Sequence, residues 1–169
     1  MDELTLGNPW AHETDVGPVI DARAQADFAA YLDQAQAEGR ILHRVDAPET
    51  GHFIGPSVVQ VRGLSDLKRE VFGPVLHVAT FKADQIDAVV DAVNASGYGL
   101  TFGLHTRIDG RVEQVKARLK VGNAYINRNQ IGAIVGSQPF GGEGLSGTGP
   151  KAGGPSYLPR FKTVVLLLL

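Results

Sequence analysis

The chain has 169 residues, of which 43% are hydrophobic and 20% charged, with a net charge of −2. That is enough chain for one domain with a real core, and so even a charge balance leaves no basic stripe for nucleic acid. No residue is cysteine, which removes disulfides, thiolate metal sites and thiol chemistry from this stretch. The longest apolar run, residues 164–169, falls far short of a membrane span, which needs about 20 residues. Met1-Asp2-Glu3 opens on acid rather than on the basic and apolar segments of a secretory leader.

Residues 1–10 read as the last turns of a helix, with Gly7 as a left-handed stop and Pro9 just beyond. So short a piece does not hold alone in water, since helices need about 12–15 residues. The reading therefore expects chain before Met1; a frayed terminus fits equally well. Asp21 then caps a helix whose apolar face is Phe28, Tyr31, Leu32 and Ala35, and Gly39 ends it. Residues 41–45 form a strand candidate. Residues 52–61 are β-rich but broken by Gly55 and Pro56, and Ser65 is placed as the cap of a single turn reaching Arg69.

The middle repeats a clear alternation. Residues 75–81 are an apolar strand. Asp84 is placed as the cap of a helix bearing Ile86, Val89, Val90 and Val93, stopped by Gly97. Residues 100–106 form the next strand. Asp109 precedes a helix carrying Val112, Val115 and Leu119, stopped at Gly122, and residues 123–127 are a third strand. Short connections in a β-α-β-α-β order predict an α/β fold with parallel strands and right-handed crossovers. Helices must cover both faces of such a sheet, and the residue 21–38 helix supplies part of that cover.

Residues 128–154 are glycine-rich and lack periodicity, which within a compact domain marks a functional loop. The closing TVVLLLL reads as a strand that needs another edge to pair with. Two nucleotide patterns fail on inspection. Gly142-x-Gly144-x-x-Gly147 matches the dinucleotide fingerprint in letters only, because the residues after it cannot start a helix. Residues 144–151 approximate a phosphate loop, but Pro150 interrupts it and Ala152 stands where magnesium needs a hydroxyl. The histidines, at 12, 43, 52, 77 and 105, lack metal-ligand spacing and read as packed or edge residues.

Other positions carry chemistry with two readings each. Glu70, where the chain enters the sheet, can accept two hydrogen bonds from a ribose diol, with Phe72 against a planar ring; a surface carboxylate beside a core phenylalanine fits the same pattern. Gly132 and Ala133 leave backbone N–H groups free for an anion, and Phe140 can wall an aliphatic chain; a structural turn fits these residues too.

Four ordered motifs resolve these alternatives by resemblance: REVFGPV, AVNASGYGLTFGLHT, VGNAYIN and PFGGEGLSGTG. Together they resemble the aldehyde dehydrogenase superfamily over nearly all of the chain up to Phe161. Residues 127–158 and ETDVGPVID at residues 13–21 are similar to the L-glutamate γ-semialdehyde (Δ1-pyrroline-5-carboxylate) dehydrogenases, most of all the form within bifunctional proline utilization A flavoproteins. The resemblance implies an incomplete α/β catalytic domain over residues 1–161, with 128–154 as a substrate-anchoring loop and 162–169 as an atypical apolar tail. It implies NAD as cofactor, with Glu70 on the nicotinamide ribose and Phe72 beside the nicotinamide. FAD is implied only where a proline dehydrogenase domain lies upstream. Gly132 and Ala133 would donate to the substrate's α-carboxylate, Phe140 would pack on its methylenes, and Asn127 and the PFGG turn would be structural. A cytoplasmic location, a small-molecule substrate and a homo-oligomer through the C-terminal strand are further expectations.

The family's nucleophilic cysteine, general-base glutamate, oxyanion asparagine and pyrophosphate-binding region correspond to segments before Met1. The chemistry implied for an intact enzyme is thiolate attack on the aldehyde, hydride transfer to NAD and thioester hydrolysis. The chain alone is therefore expected not to oxidise aldehydes. The alternative is a non-catalytic carboxylate-binding or assembly module of the same fold.

Overall fold

The computed structural model describes residues 1–133, 137–147, 151–155 and 157–158, which form two compact units, one over Met1–Thr80 and one from Phe81 onward. The expected strand in the apolar tail, and the domain boundary at residues 161–162, lie outside the described residues.

In the first unit, helix α1 (Ala22–Ala37) starts where Asp21 accepts a 2.7 Å hydrogen bond from the Ala24 N–H. It ends at Gly39, whose φ of 68° permits the left-handed turn. The Arg40 N–H reaches back to the Ala35 carbonyl (2.8 Å) and the Gly39 N–H to that of Gln36 (3.0 Å), so two terminal carbonyls are satisfied. Strands β1 (Ile41–Arg44), β2 (Ser57–Gln60) and β3 (Val75–Val78) form one sheet in that order, β1 antiparallel and β3 parallel to β2. Leu32 and Ala35 of α1 pack with Ile54 and Val59 to make the core, flanked by Phe28, Tyr31, Ile41 and Val75. Fully burying side chains such as Leu32 and Val59 contributes about 2 kcal/mol each.

Two local expectations for this unit are corrected. Gly7 is not in the left-handed region, and residues 1–10 do not end a helix; instead Leu6 bridges Val16 in parallel and the Gly7 N–H donates to the Val16 carbonyl. Ser65 does not cap its turn. It lies inside a 3-10 turn, Leu64–Asp66, that has no side-chain cap. Asp66 closes the turn instead, accepting from both the backbone and the guanidinium of Arg62.

The second unit opens with a 3-10 turn, Ala83–Gln85, that runs into α2 (Ile86–Ala95). Asp84 sits within that turn rather than capping the helix, because the extended residue before the turn is Lys82. Gly97 stops α2 with φ of 77°. Strands β4 (Tyr98–Gly99) and β5 (Thr101–Leu104) follow, then α3 (Asp109–Arg118) and β6 (Asn123–Ile126). β5 and β6 pair in parallel with α3 as crossover, the expected β-α-β unit. Helix α3 ends at Leu119, short of Gly122. Arg118 ties it to α2 through Asp91 (2.7 Å) and Asp87 (3.2 Å). The Asn94 amide donates to the Arg118 carbonyl and accepts from the Lys120 N–H.

The expected β-α-β-α-β ladder is thus divided: β3 pairs with β2, and β5 pairs with β6. Parallel pairing, the feature that defines the fold class, is present between β2 and β3 and between β5 and β6, and gives a mixed α/β architecture.

Candidate functional site

The first group is held at the entrance to β3. The Gly73 N–H donates to the Val71 carbonyl (2.9 Å) and the Val75 N–H to that of Gly73 (2.7 Å), which makes two tight turns in succession. A Cβ on Gly73 would lie 3.0 Å from the Phe28 ring, so only glycine packs comfortably against α1 here. The Pro74 carbonyl accepts from the Ser57 N–H and fixes the segment to the sheet. Held between these anchors, Phe72 is 80% exposed, so it is not a core residue. Glu70 is exposed as well, and its carboxylate makes no hydrogen bond or ion pair among the described residues. An unengaged carboxylate and an uncovered ring two positions apart fit a diol and a planar ring presented together.

The neighbours of Glu70, Arg69 and Val71, line a cleft of about 920 Å³ with Tyr31, Gln34, Arg40 and Arg62. The Arg62 guanidinium beside Asp66 holds that carboxyl at about 2. Tyr31 Oη lies 2.7 Å from His77 Nε2. Burial, and then the positive charge of Arg40, hold the His77 imidazole below its ordinary value.

The second group lies in the Gly-rich loop. Asn127 has φ of 54°, a left-handed residue at the end of β6. It is stabilised there because its side chain accepts from the Thr106 N–H and donates to the Thr106 carbonyl, each at 2.9 Å. The chain bends there and enters the loop. Gly132 has φ of 146°, open to glycine and strained for other residues. A Cβ there would meet the Phe140 ring at 3.6 Å, so the loop brings Gly132 and Phe140 together. Ala133 is half-buried beside them. Phe140 is fixed in turn by paired backbone hydrogen bonds with Ala152. A glycine backbone beside an aromatic ring can hold an anion next to an apolar chain.

The PFGG turn docks on strand backbone. Asn123 Nδ2 donates to the carbonyls of Gly141 (2.9 Å) and Leu100 (3.1 Å). Ser146 Oγ accepts from the Gly99 N–H at 3.0 Å, and Lys151 Nζ donates to the Gly122 carbonyl. Within the rejected dinucleotide pattern, Glu143–Gly144 is a short strand, β7, antiparallel to β4. A strand inside the pattern is incompatible with a pyrophosphate turn. Residues 148–150 of the rejected phosphate loop lie outside the described residues. Among the described residues no cluster of three or more His, Asp or Glu is placed to hold a metal.

Sequence reasoning did not single out Tyr125, Arg128 or Gln138. Tyr125 is buried on β6, the Arg128 guanidinium lies 4.9 Å from its ring centroid, and Gln138 Nε2 donates to its hydroxyl at 2.8 Å. The only sequence signal was an aromatic at a period-two position of a strand.

The aldehyde dehydrogenase family model matches residues 1–165. The bifunctional protein PutA of Klebsiella aerogenes is 51% identical over 95% of the chain, which spans 13% of that protein. A 1-pyrroline-5-carboxylate dehydrogenase of Bacillus subtilis is 39% identical over 92% of the chain, which spans 30% of it. Among solved structures, a mutant of Bradyrhizobium japonicum proline utilization A (PutA) matches 95% of the chain with a TM-score of 0.89 and 48% identity. The chain covers 16% of that structure.

Proposed function

Because the chain belongs to the aldehyde dehydrogenase family, we propose that it forms part of an NAD-dependent dehydrogenase that oxidises L-glutamate γ-semialdehyde to L-glutamate in proline catabolism. The observation that carries this reading is the closeness of Gly132 to the Phe140 ring, which a Cβ on Gly132 would touch. Backbone donors at Gly132 and Ala133 suit the α-carboxylate, and the Phe140 ring suits the methylenes that separate it from the aldehyde. Glu70 holds the nicotinamide ribose and Phe72 orients the nicotinamide. When bound, NAD supplies the hydride acceptor.

The residues present bind and orient; none is assigned as nucleophile. With no cysteine in the sequence, the thiolate comes from outside these 169 residues. Where the polypeptide also carries a proline dehydrogenase, FAD belongs to that part. A cytoplasmic location for the intact enzyme is part of the proposal. No helix among the described residues is long and apolar enough to cross a membrane.

The test is NADH formation from glutamate semialdehyde and NAD. The chain alone is expected to form none, while a polypeptide joining these residues to the family's thiol-bearing segment does. In that polypeptide Glu70→Gln raises KM for NAD about tenfold, the loss expected of a charged hydrogen bond. NADH formation by the chain alone, or no effect at Glu70, contradicts the assignment. The lack of cysteine also supports a second reading, a non-catalytic carboxylate-binding or assembly module of the same fold. That reading predicts L-glutamate binding but no turnover even with the thiol-bearing segment joined.

A further inference from the structure

Two tethers converge on one side chain of β6. Tyr125 is 4% exposed, so its ring is fixed by packing. The chain bends at the left-handed Asn127, and the Arg128 guanidinium stands 4.9 Å from the Tyr125 ring centroid. From the far end of the loop, Gln138 Nε2 donates to Tyr125 Oη at 2.8 Å. Arg128 leads into the limb that bears Gly132 and Ala133, and Gln138 immediately precedes Pro139 and Phe140. Between them Gln130 seats against β5, where a Cβ on Gly103 would lie 2.7 Å from its Oε1. The limb with the carboxylate-facing backbone and the limb with the apolar wall are thus both referred to one buried ring.

We propose that Tyr125 is a positioning residue that sets the spacing between the Gly132–Ala133 backbone and the Phe140 ring, and so the fit of a carboxylate-bearing substrate. The inference rests on the proposed function, because it needs that slot to take an α-carboxylate. A slot built on a loop is only as well defined as the side chains that hold it, and small displacements of a binding group cost affinity steeply. Tyr125 does not touch the substrate; it acts through Arg128 and Gln138.

The experiment measures L-glutamate affinity and backbone amide exchange on the full polypeptide, in wild type, Tyr125→Phe, Gln138→Leu and the double variant. Each single variant is expected to weaken L-glutamate about fivefold to tenfold, the range for one lost hydrogen bond. The double variant should be no weaker than either single, since both remove the same bond. Exchange should rise at residues 131–133 and at Ser137, Gln138 and Phe140, and stay unchanged in α3 and β5. Should Tyr125→Phe fail to fold, Gln138→Leu carries the test, because it removes the same bond and leaves the buried Tyr125 itself unchanged. Unchanged glutamate affinity in the variants, or additive losses in the double, overturns the role of Tyr125 while leaving the carboxylate reading in place. Wild type with no measurable L-glutamate affinity overturns the carboxylate reading, and the role of Tyr125 with it.

Discussion

Gly122 has so little room that a Cβ would sit 1.8 Å from the Gly141 carbonyl oxygen. Its glycine character is plain in the sequence, but the reason is not local. The helix it was expected to stop ends earlier, and the constraint comes from the Gly-rich loop folding back onto the start of β6. Gly122→Ala should push that loop away and destabilise the fold by about 3 kcal/mol, which denaturant unfolding would read; a loss under 0.5 kcal/mol would deny the close approach. Phe72 teaches the opposite lesson. Its residue type argues for burial, yet the turns at Val71 and Gly73 lift it into solvent, and only tertiary anchoring decides this. Asp66 gives a pH prediction at the same scale. Its folded carboxyl is held at about 2 against an ordinary value of 3.8, so the stability it adds is fully present above 3.8 and is lost as pH falls through about 2. Asp66→Asn should flatten acid unfolding within that window, and an unchanged acid limb would show that the clamp with Arg62 adds nothing.

At the scale of elements, α1 was legible from end to end. Its cap, apolar face and glycine stop are local signals, and each matches the structure. Asp21→Ala should cost about 1 kcal/mol through the lost cap, with a matching fall in helical signal on heating. The start of α2 was less legible, because Asp84 is a good cap by type but the chain begins its turn two residues sooner, after Lys82. Sheet order was the least legible. Period-two patterning finds strands but does not say which neighbours pair, and β2, interrupted upstream by Gly55 and Pro56, proved to be the parallel partner of β3. The link between α1 and β3 also carries a titration. His77 is held below its ordinary value, chiefly by burial, so the unfolded chain takes up its proton first and stability falls as pH drops through about 6.5. His77→Gln should remove that slope between pH 7 and 5; a slope equal to wild type would place its origin elsewhere.

At the scale of the molecule, two compact units each present one set of candidate residues: Glu70 and Phe72 in the first, Gly132, Ala133 and Phe140 in the second. The motifs that carry these residues were readable because they are short and local. The tethers to Tyr125 and the docking of the PFGG turn were not, because they join residues far apart in sequence through single hydrogen bonds. The chain spans only 13% of its bifunctional relative and 30% of its shorter one, and binding and orientation are the roles proposed for its residues. The most direct measurement is an amide-resolved NMR titration with L-glutamate. Saturable shifts centred on Gly132, Ala133 and Phe140 are expected, abolished by removing the α-carboxylate from the ligand. Saturable shifts centred elsewhere, or no shift at these residues, would contradict the carboxylate reading.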